Sequence, residues 1–162
     1  MFQRILVAFD GSPTSRNACR VAMELGARFG STITVATVYP ESASPSDGHL
    51  ESLVPIDSEG KTLAQLLDEM QVEARKRGIP SVTSTFLQGD VVPTLLEFLR
   101  SHPQDLVITG SRGLSRGRRL LLGSVSSALF GEAPCPVLVV RPDFPPPPAD
   151  PKRPPPRPRA GR

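Results

Sequence analysis

Ile5-Leu6-Val7-Ala8-Phe9-Asp10-Gly11-Ser12-Pro13 is the stretch that decides how this chain folds. Five apolar residues without polar alternation suit a strand covered on both faces, and strands of that kind belong to parallel sheets. Asp10-Gly11 ends the run. Ser12 can cap a helix and Pro13 suits its first position. The helix pattern follows at once, with Ala18, Val21, Ala22, Leu25 and Phe29 recurring at three- and four-residue steps, and Gly30 stops it. Thr32 to Val38 is β-branched and apolar, a second strand. The chain thus opens on a strand–helix–strand unit.

The pattern repeats outward from there. Pro40 to Ser58 is rich in Ser, Pro, Asp and Gly and reads as a long loop. Leu63, Leu66, Leu67, Met70 and Ala74 mark a helix ending near Gly78, and Val82 to Leu87 a third strand. Asp90 is expected to cap a helix bearing Val92, Leu95, Leu96 and Leu99, with Pro93 tolerated in its first turn. Leu106 to Thr109 is a fourth strand. A glycine- and arginine-rich loop runs from Gly110 to Gly123, a last helix starts at Ser124, expected as its cap, and Val137 to Val140 is a fifth strand. Strands alternating with helices imply an α/β fold with right-handed crossovers and helices on both faces of an open, parallel, five-stranded sheet. The loops after Phe9 and Thr109 must share a crevice where the strand order reverses, which predicts the order 3-2-1-4-5.

The 162 residues leave room for one ordinary domain. No run approaches the roughly 18 apolar residues of a membrane span. Met1-Phe2-Gln3-Arg4 leads straight into the first strand without the successive parts of a secretory signal, so a cytoplasmic location is expected. Cys19 and Cys135 fall on different elements and read as separate thiols, not a disulfide or a metal cluster. The net charge of +3 is unevenly placed. From Pro142 onward Lys152, Arg153, Arg157, Arg159 and Arg162 face only Asp143 and Asp150, which is +3, so the body has 14 basic and 14 acidic residues and is neutral. The basicity therefore belongs to the tail and gives the fold no nucleic-acid-binding face. Ten of the 21 residues from 142 to 162 are proline, and such a segment cannot bury a core. The expected division is a folded domain over 1–141 and a proline-rich, basic, disordered tail over 142–162.

Gly110-Ser111-Arg112-Gly113, nine residues, then Gly123-Ser124 is the motif with the most chemistry in it. It follows a strand and ends at a helix start. Glycines allow backbone amides to approach phosphate oxygens, and the helix dipole favours an anion at that place. Arg112, Arg116, Arg118 and Arg119 add positive charge to the loop; for Arg118 and Arg119 a solvated face is the favoured reading.

At these residues the chain resembles the universal stress protein family, ATP-binding type, whose glycine–two–glycine–nine–glycine–serine/threonine signature it matches at every fixed position. The resemblance extends over residues 2 to 141, including Asp10 after the first strand, the Val38 strand end and the closing Pro134-Cys135-Pro136-Val137-Leu138-Val139-Val140 segment. It implies a Rossmann-like fold of the adenine nucleotide alpha hydrolase kind, holding ATP with Mg²⁺ and assembling as a homodimer through the Val137–Val140 edge strand. It places the Val38 backbone at the adenine edge, Ala8 and Asp10 beside base and ribose, Thr109 and Gly110 along the ribose, and Gly113, Gly123, Ser124 and Val125 at the phosphates. No residue is expected to ligate a metal directly, and Asp10 is the candidate for an indirect contact to Mg²⁺. Ala8 stands where nucleotide-binding members carry proline and Thr109 where many carry a larger apolar residue, which puts the closeness of the adenosine fit in question.

Each signal has a structural rival. The glycines could simply shape a loop, Asp10 could form the turn before Ser12, and Ser124 could serve as a helix cap. Gly60-Lys61-Thr62 imitates the end of a P-loop, but Pro55 stands where the earlier glycine is required. His49 and His102 have no ligand-spaced partners. The expected function is an ATP-dependent stress-response module. A slow ATPase or self-phosphorylating protein is the alternative, with Ser111, Ser124 or Ser126 as acceptor; no dedicated base is visible for it. A third class is an interaction protein using its tail against an aromatic-lined groove.

Overall fold

The structure, a computed structural model, describes residues 1–40, 62–111 and 122–142. Among the described residues five strands and four helices alternate: β1 (Arg4–Ala8), α1 (Pro13–Phe29), β2 (Thr32–Tyr39), α2 (Leu63–Arg77), β3 (Ser81–Gln88), α3 (Val91–Ser101), β4 (Leu106–Gly110), α4 (Ser124–Glu132) and β5 (Val137–Val140). The strands form one sheet in the order β3-β2-β1-β4-β5, all parallel. This is the expected order, and it sets Ala8 beside both Ala36 and Thr109. The loop expected over 40–58 lies almost wholly outside the described residues, as do the stretch 112–121 and the tail beyond Pro142.

The unbroken apolar run of β1 has its reason in the packing. Ile5, Leu6 and Val7 are completely buried because helices cover both faces. Ile5 and Val7 point with Ile33 and Val35 into a core closed by Ala18, Cys19, Ala22 and Met23 of α1 and by Leu63, Leu67 and Met70 of α2. Leu6, Ala8 and Ala36 point the other way, against Leu95, Leu96 and Leu99 of α3 and Leu129 of α4. Truncating any of the large members to alanine costs about 2–5 kcal/mol.

The helix starts show which local signals act. Ser12 caps α1, its hydroxyl accepting the Ser15 N–H at 3.2 Å, and Pro13 occupies the first turn. Gly30 and Gly78 end α1 and α2 in the left-handed region, with φ of 66° and 70°. Thr62 opens α2 with a capping box, accepting from Gln65 N while Gln65 Oε1 accepts from Thr62 N. That is the work of the threonine in the apparent P-loop remnant; Gly60 and Lys61 lie outside the described residues. Of two further expected caps, one holds in position without its side-chain bond and the other is corrected. Asp90 stands at the cap position of α3, but its side chain makes no capping bond, and the turn closes through its carbonyl and the Thr94 N–H. The cap of α4 is Gly123, with Ser124 one position inside the helix, so no side chain caps α4.

Candidate functional site

The ends of β1 and β4 lie side by side, and the chain leaves them in different directions. From β1 it turns through Asp10-Gly11 into α1. Asp10 Oδ1 accepts the Ser12 N–H at 3.0 Å, closing the turn, while Gly11 takes a φ of 80° that a side chain resists. Asp10 therefore forms the turn and still exposes its carboxylate at the rim. From β4 the chain leaves through Gly110 and Ser111 and returns at Gly123. Ser111 N–H donates to Val140 C=O at 2.7 Å, and Gly123 N–H donates to Ser111 C=O at 2.8 Å. The start of α4 is thereby fixed against the ends of β4 and β5.

A cavity of about 210 Å³ opens at this place, on the α3 and α4 side of the sheet. Eight of the ten expected site residues surround it: Ala8, Asp10, Val38, Thr109, Gly110, Gly123, Ser124 and Val125. The other two, Arg112 and Gly113, lie outside the described residues. Phe9, Ser15, Ala36, Val91 and Leu95 line it as well and were not expected in the site, and so does Ser126, expected only as a candidate phosphoryl acceptor. Ala36 and Leu95 carried a signal, being the strand neighbour of Ala8 and a core position of α3. Ser15 carried none that separates it from an ordinary helix serine.

The two ends of the cavity differ in chemistry. One is apolar, built by Ala8, Ala36, Val38, Val91 and Leu95. There, among the described residues, no backbone group pairs with Val38 on its β1 side. Gly89 N–H bonds to Tyr39 C=O on the β3 side, and Phe9 N–H bonds to Ala36 C=O on the β1 side. Successive residues of a strand aim their polar groups to opposite sides. Val38 thus turns its N–H and C=O toward β1, which has ended at Ala8. The other end is polar, made by Ser15, Gly123, Ser124, Val125 and Ser126 with the start of α4. The first-turn amides of a helix have no partner within it, and α4 supplies no side-chain cap for them. Asp10 lies between, on the rim.

Gly110 has a role the glycine motif does not reveal. A Cβ built on it would lie 2.5 Å from Thr14 Oγ1, 2.8 Å from Thr14 Cβ and 3.0 Å from the Thr14 carbonyl carbon. The start of α1 passes so close to the end of β4 that only glycine fits. Of the three serines considered as phosphoryl acceptors, Ser111 and Ser126 are buried and Ser124 is exposed. Ser126 Oγ is committed to the carbonyls of Gly123 and Ser111, at 3.0 and 3.3 Å.

Neither cysteine belongs to the site. Cys19 is buried in α1, and burial pushes its thiol up to about 12; Cys135 is half-buried and also raised, by burial first and then by the Asp105 charge. Both are free thiols. His102 stacks on Phe98 at the far end of α3, and His49 lies outside the described residues. No group of three or more His, Cys, Asp or Glu side chains is arranged to hold a metal ion among the described residues, and no helix among them is long and apolar enough to cross a membrane.

Comparison with known proteins agrees with this architecture. The sequence profile of the universal stress protein family matches residues 1–141. A universal stress protein of Thermus aquaticus is 33% identical over 143 residues, covering 87% of this chain and all of the relative. Among solved structures, a universal stress protein from Lactobacillus plantarum superimposes with a TM-score of 0.69 at 25% identity, over 86% of this chain and 98% of its own. A universal stress protein determined in complex with cAMP superimposes with a TM-score of 0.60 at 26% identity, over 86% and 97% of the two chains. The 3-2-1-4-5 sheet, the glycine-framed return from β4 to α4 and these matches lead to one conclusion: the chain belongs to the universal stress protein family.

Proposed function

We propose that this protein is a cytoplasmic, ATP-binding stress-response module that acts by nucleotide occupancy. The observation that carries the reading is the division of one cavity into an apolar end with an unpaired strand residue and a polar end at an uncapped helix start. A base needs apolar walls and a hydrogen-bonding edge, and Val38 offers a donor and an acceptor side by side. A phosphate chain needs backbone donors and a favourable dipole, and the first turn of α4 offers both. The residues fit the nucleotide at both ends. Ala8, Val38, Asp10, Thr109 and Gly110 would hold base and ribose, and Gly123, Ser124 and Val125 the phosphates, with Arg112 and Gly113 of the adjoining loop. Asp10, on the rim, would reach Mg²⁺ indirectly. The cAMP in the 26% identical structure supports an adenine nucleotide as ligand.

The same reading divides the chain into a nucleotide domain over 1–141, where the family match ends, and a tail over 142–162. It also makes the protein a homodimer through β5. Among the described residues that strand pairs with β4 alone, and Leu138 on it and Phe130 on the adjoining helix are exposed.

Calorimetry with ATP·Mg²⁺ on the full chain tests the proposal. Saturable binding is expected, weakened in Gly123→Val by a side chain where phosphate should lie. Absence of binding by wild type, or unchanged affinity in a folded Gly123→Val variant, would remove the α4 start from the site.

A further inference from the structure

Ser126 is nearly inaccessible, 2% exposed, yet it lines the polar end of the cavity. Its hydroxyl has one proton and two carbonyl acceptors, Gly123 C=O at 3.0 Å and Ser111 C=O at 3.3 Å. The first is a local bond, of the kind serines in the first turn of a helix commonly make. The second spans fifteen residues and joins α4 to the end of β4. Ser111 C=O also accepts the Gly123 N–H, and Gly123 C=O also accepts the Ser127 N–H at 2.9 Å. Ser126 is therefore the side chain that bridges the two backbone groups where the chain leaves β4 and where it enters α4.

The rest of that junction makes the bridge matter. Gly123, as cap, has no side chain to restrain the helix start, and its peptide has the freedom of glycine. The amides of Ser124 and Val125 follow directly, so their direction depends on how Gly123 is held. A fixed array of donors binds an anion well only if its geometry is set before the ligand arrives. We propose that Ser126 is a positioning residue for the phosphate of the bound nucleotide, its buried hydroxyl bridging Ser111 and Gly123 so that the first-turn amides of α4 face the cavity. This rests on the nucleotide reading above. It adds that the preference for nucleotide over nucleoside depends on a side chain that makes its bonds to the protein backbone. It also assigns the Ser126 hydroxyl away from phosphoryl acceptance, since its proton is shared between two carbonyls.

Calorimetry of the full chain with AMP and with adenosine separates positioning from general support. Wild type is expected to bind AMP more tightly than adenosine. In Ser126→Ala, AMP affinity should fall about tenfold while adenosine affinity stays within about twofold, because only the anion uses the α4 amides. Ser126→Thr, which keeps the hydroxyl, should restore the AMP preference. If Ser126→Ala does not fold by circular dichroism, Ser126→Cys, with similar volume and only a weak donor, carries the same comparison. Equal losses for AMP and adenosine, or no loss for either, would overturn the positioning role and leave the nucleotide reading standing. Failure of wild type to bind either ligand would overturn both.

Discussion

Replacing Gly110 by alanine tests why the first glycine of the motif is there. The added Cβ would lie 2.8 Å from Thr14 Cβ and 3.0 Å from the Thr14 carbonyl carbon, where carbon atoms normally stay about 3.5–4.0 Å apart. Rotation of Thr14 could relieve the 2.5 Å approach to its Oγ1, but not the other two. Those atoms are held by the start of α1, itself fixed by the Ser12 cap. The helix must move away from β4, and overpacking of that kind costs about 1–3 kcal/mol. Loss of glycine entropy in the unfolded chain offsets about 0.4–1 kcal/mol, since Gly110 is not among the positive-φ glycines. The net expectation is a destabilisation of about 1–2 kcal/mol. Urea unfolding read by far-UV circular dichroism measures it; with no tryptophan and a single tyrosine, intrinsic fluorescence is a poor probe. In a Thr14→Gly background the two side-chain contacts vanish while the approach to the carbonyl carbon remains, so the penalty of Gly110→Ala should fall by about half, the difference appearing as coupling in the double-mutant cycle. Equal penalties in both backgrounds would refute the packing explanation. So would wild-type stability in Gly110→Ala; combined with reduced nucleotide affinity, it would give the glycine to the ligand instead.

Further tests address the core, the sheet ends and the edge. Thr37 Oγ1 is buried with no hydrogen-bond partner among the described residues, so Thr37→Val should stabilise the fold by about 1 kcal/mol in urea unfolding; a destabilised variant would mean that the hydroxyl is solvated. The Asp105 carboxyl is held below the usual carboxylate range by the Arg4 side chain first and by the Arg4 and Gln3 backbone N–H groups as well. A lowered folded value means that its stabilising effect is present above the unfolded carboxylate pKa of about 4 and is lost as pH falls through the folded value. Asp105→Asn should therefore lower stability at neutral pH and flatten the acid limb of the stability curve, and a parallel curve would show that Asp105 titrates alike in both states. Leu138, 38% exposed on the β5 edge, should break self-association as Leu138→Lys, and sedimentation at micromolar concentration should then show half the wild-type mass.

The fold was legible in the sequence wherever burial dictated composition. Residues 5–9 are all apolar because two helical layers cover β1, and that run, repeated in β4, announces a parallel sheet before any pairing is known. Ser12-Pro13, Gly30 and Gly78 mark helix ends through effects confined to one turn, so they can be read locally. Asp90 shows the limit of that reading. Its residue type suits a cap, but Gly89 precedes it at a φ of 136° and the carboxylate makes no capping bond. A cap depends on the path of the preceding backbone, which composition does not encode.

The candidate site was legible in part for a similar reason. Sequence spacing could bring Asp10, Gly110 and Gly123 together because the strand order follows from chain topology. It could not say what each glycine is for. Three glycines in one motif suggest one purpose, yet Gly110 meets Thr14 of α1 from inside the fold, while Gly123 caps α4 at the cavity. The distinction arises from two elements far apart in sequence meeting at one point. Ser126 escapes a motif search on the same ground: it is chosen by the carbonyl of Ser111, fifteen residues earlier, and no pattern within α4 reveals that partner. A substitution at Gly110 and one at Ser126 should therefore have different consequences, although both border the same cavity. The first acts on the stability of the whole fold through α1. The second acts on anion preference through the direction of the α4 amides.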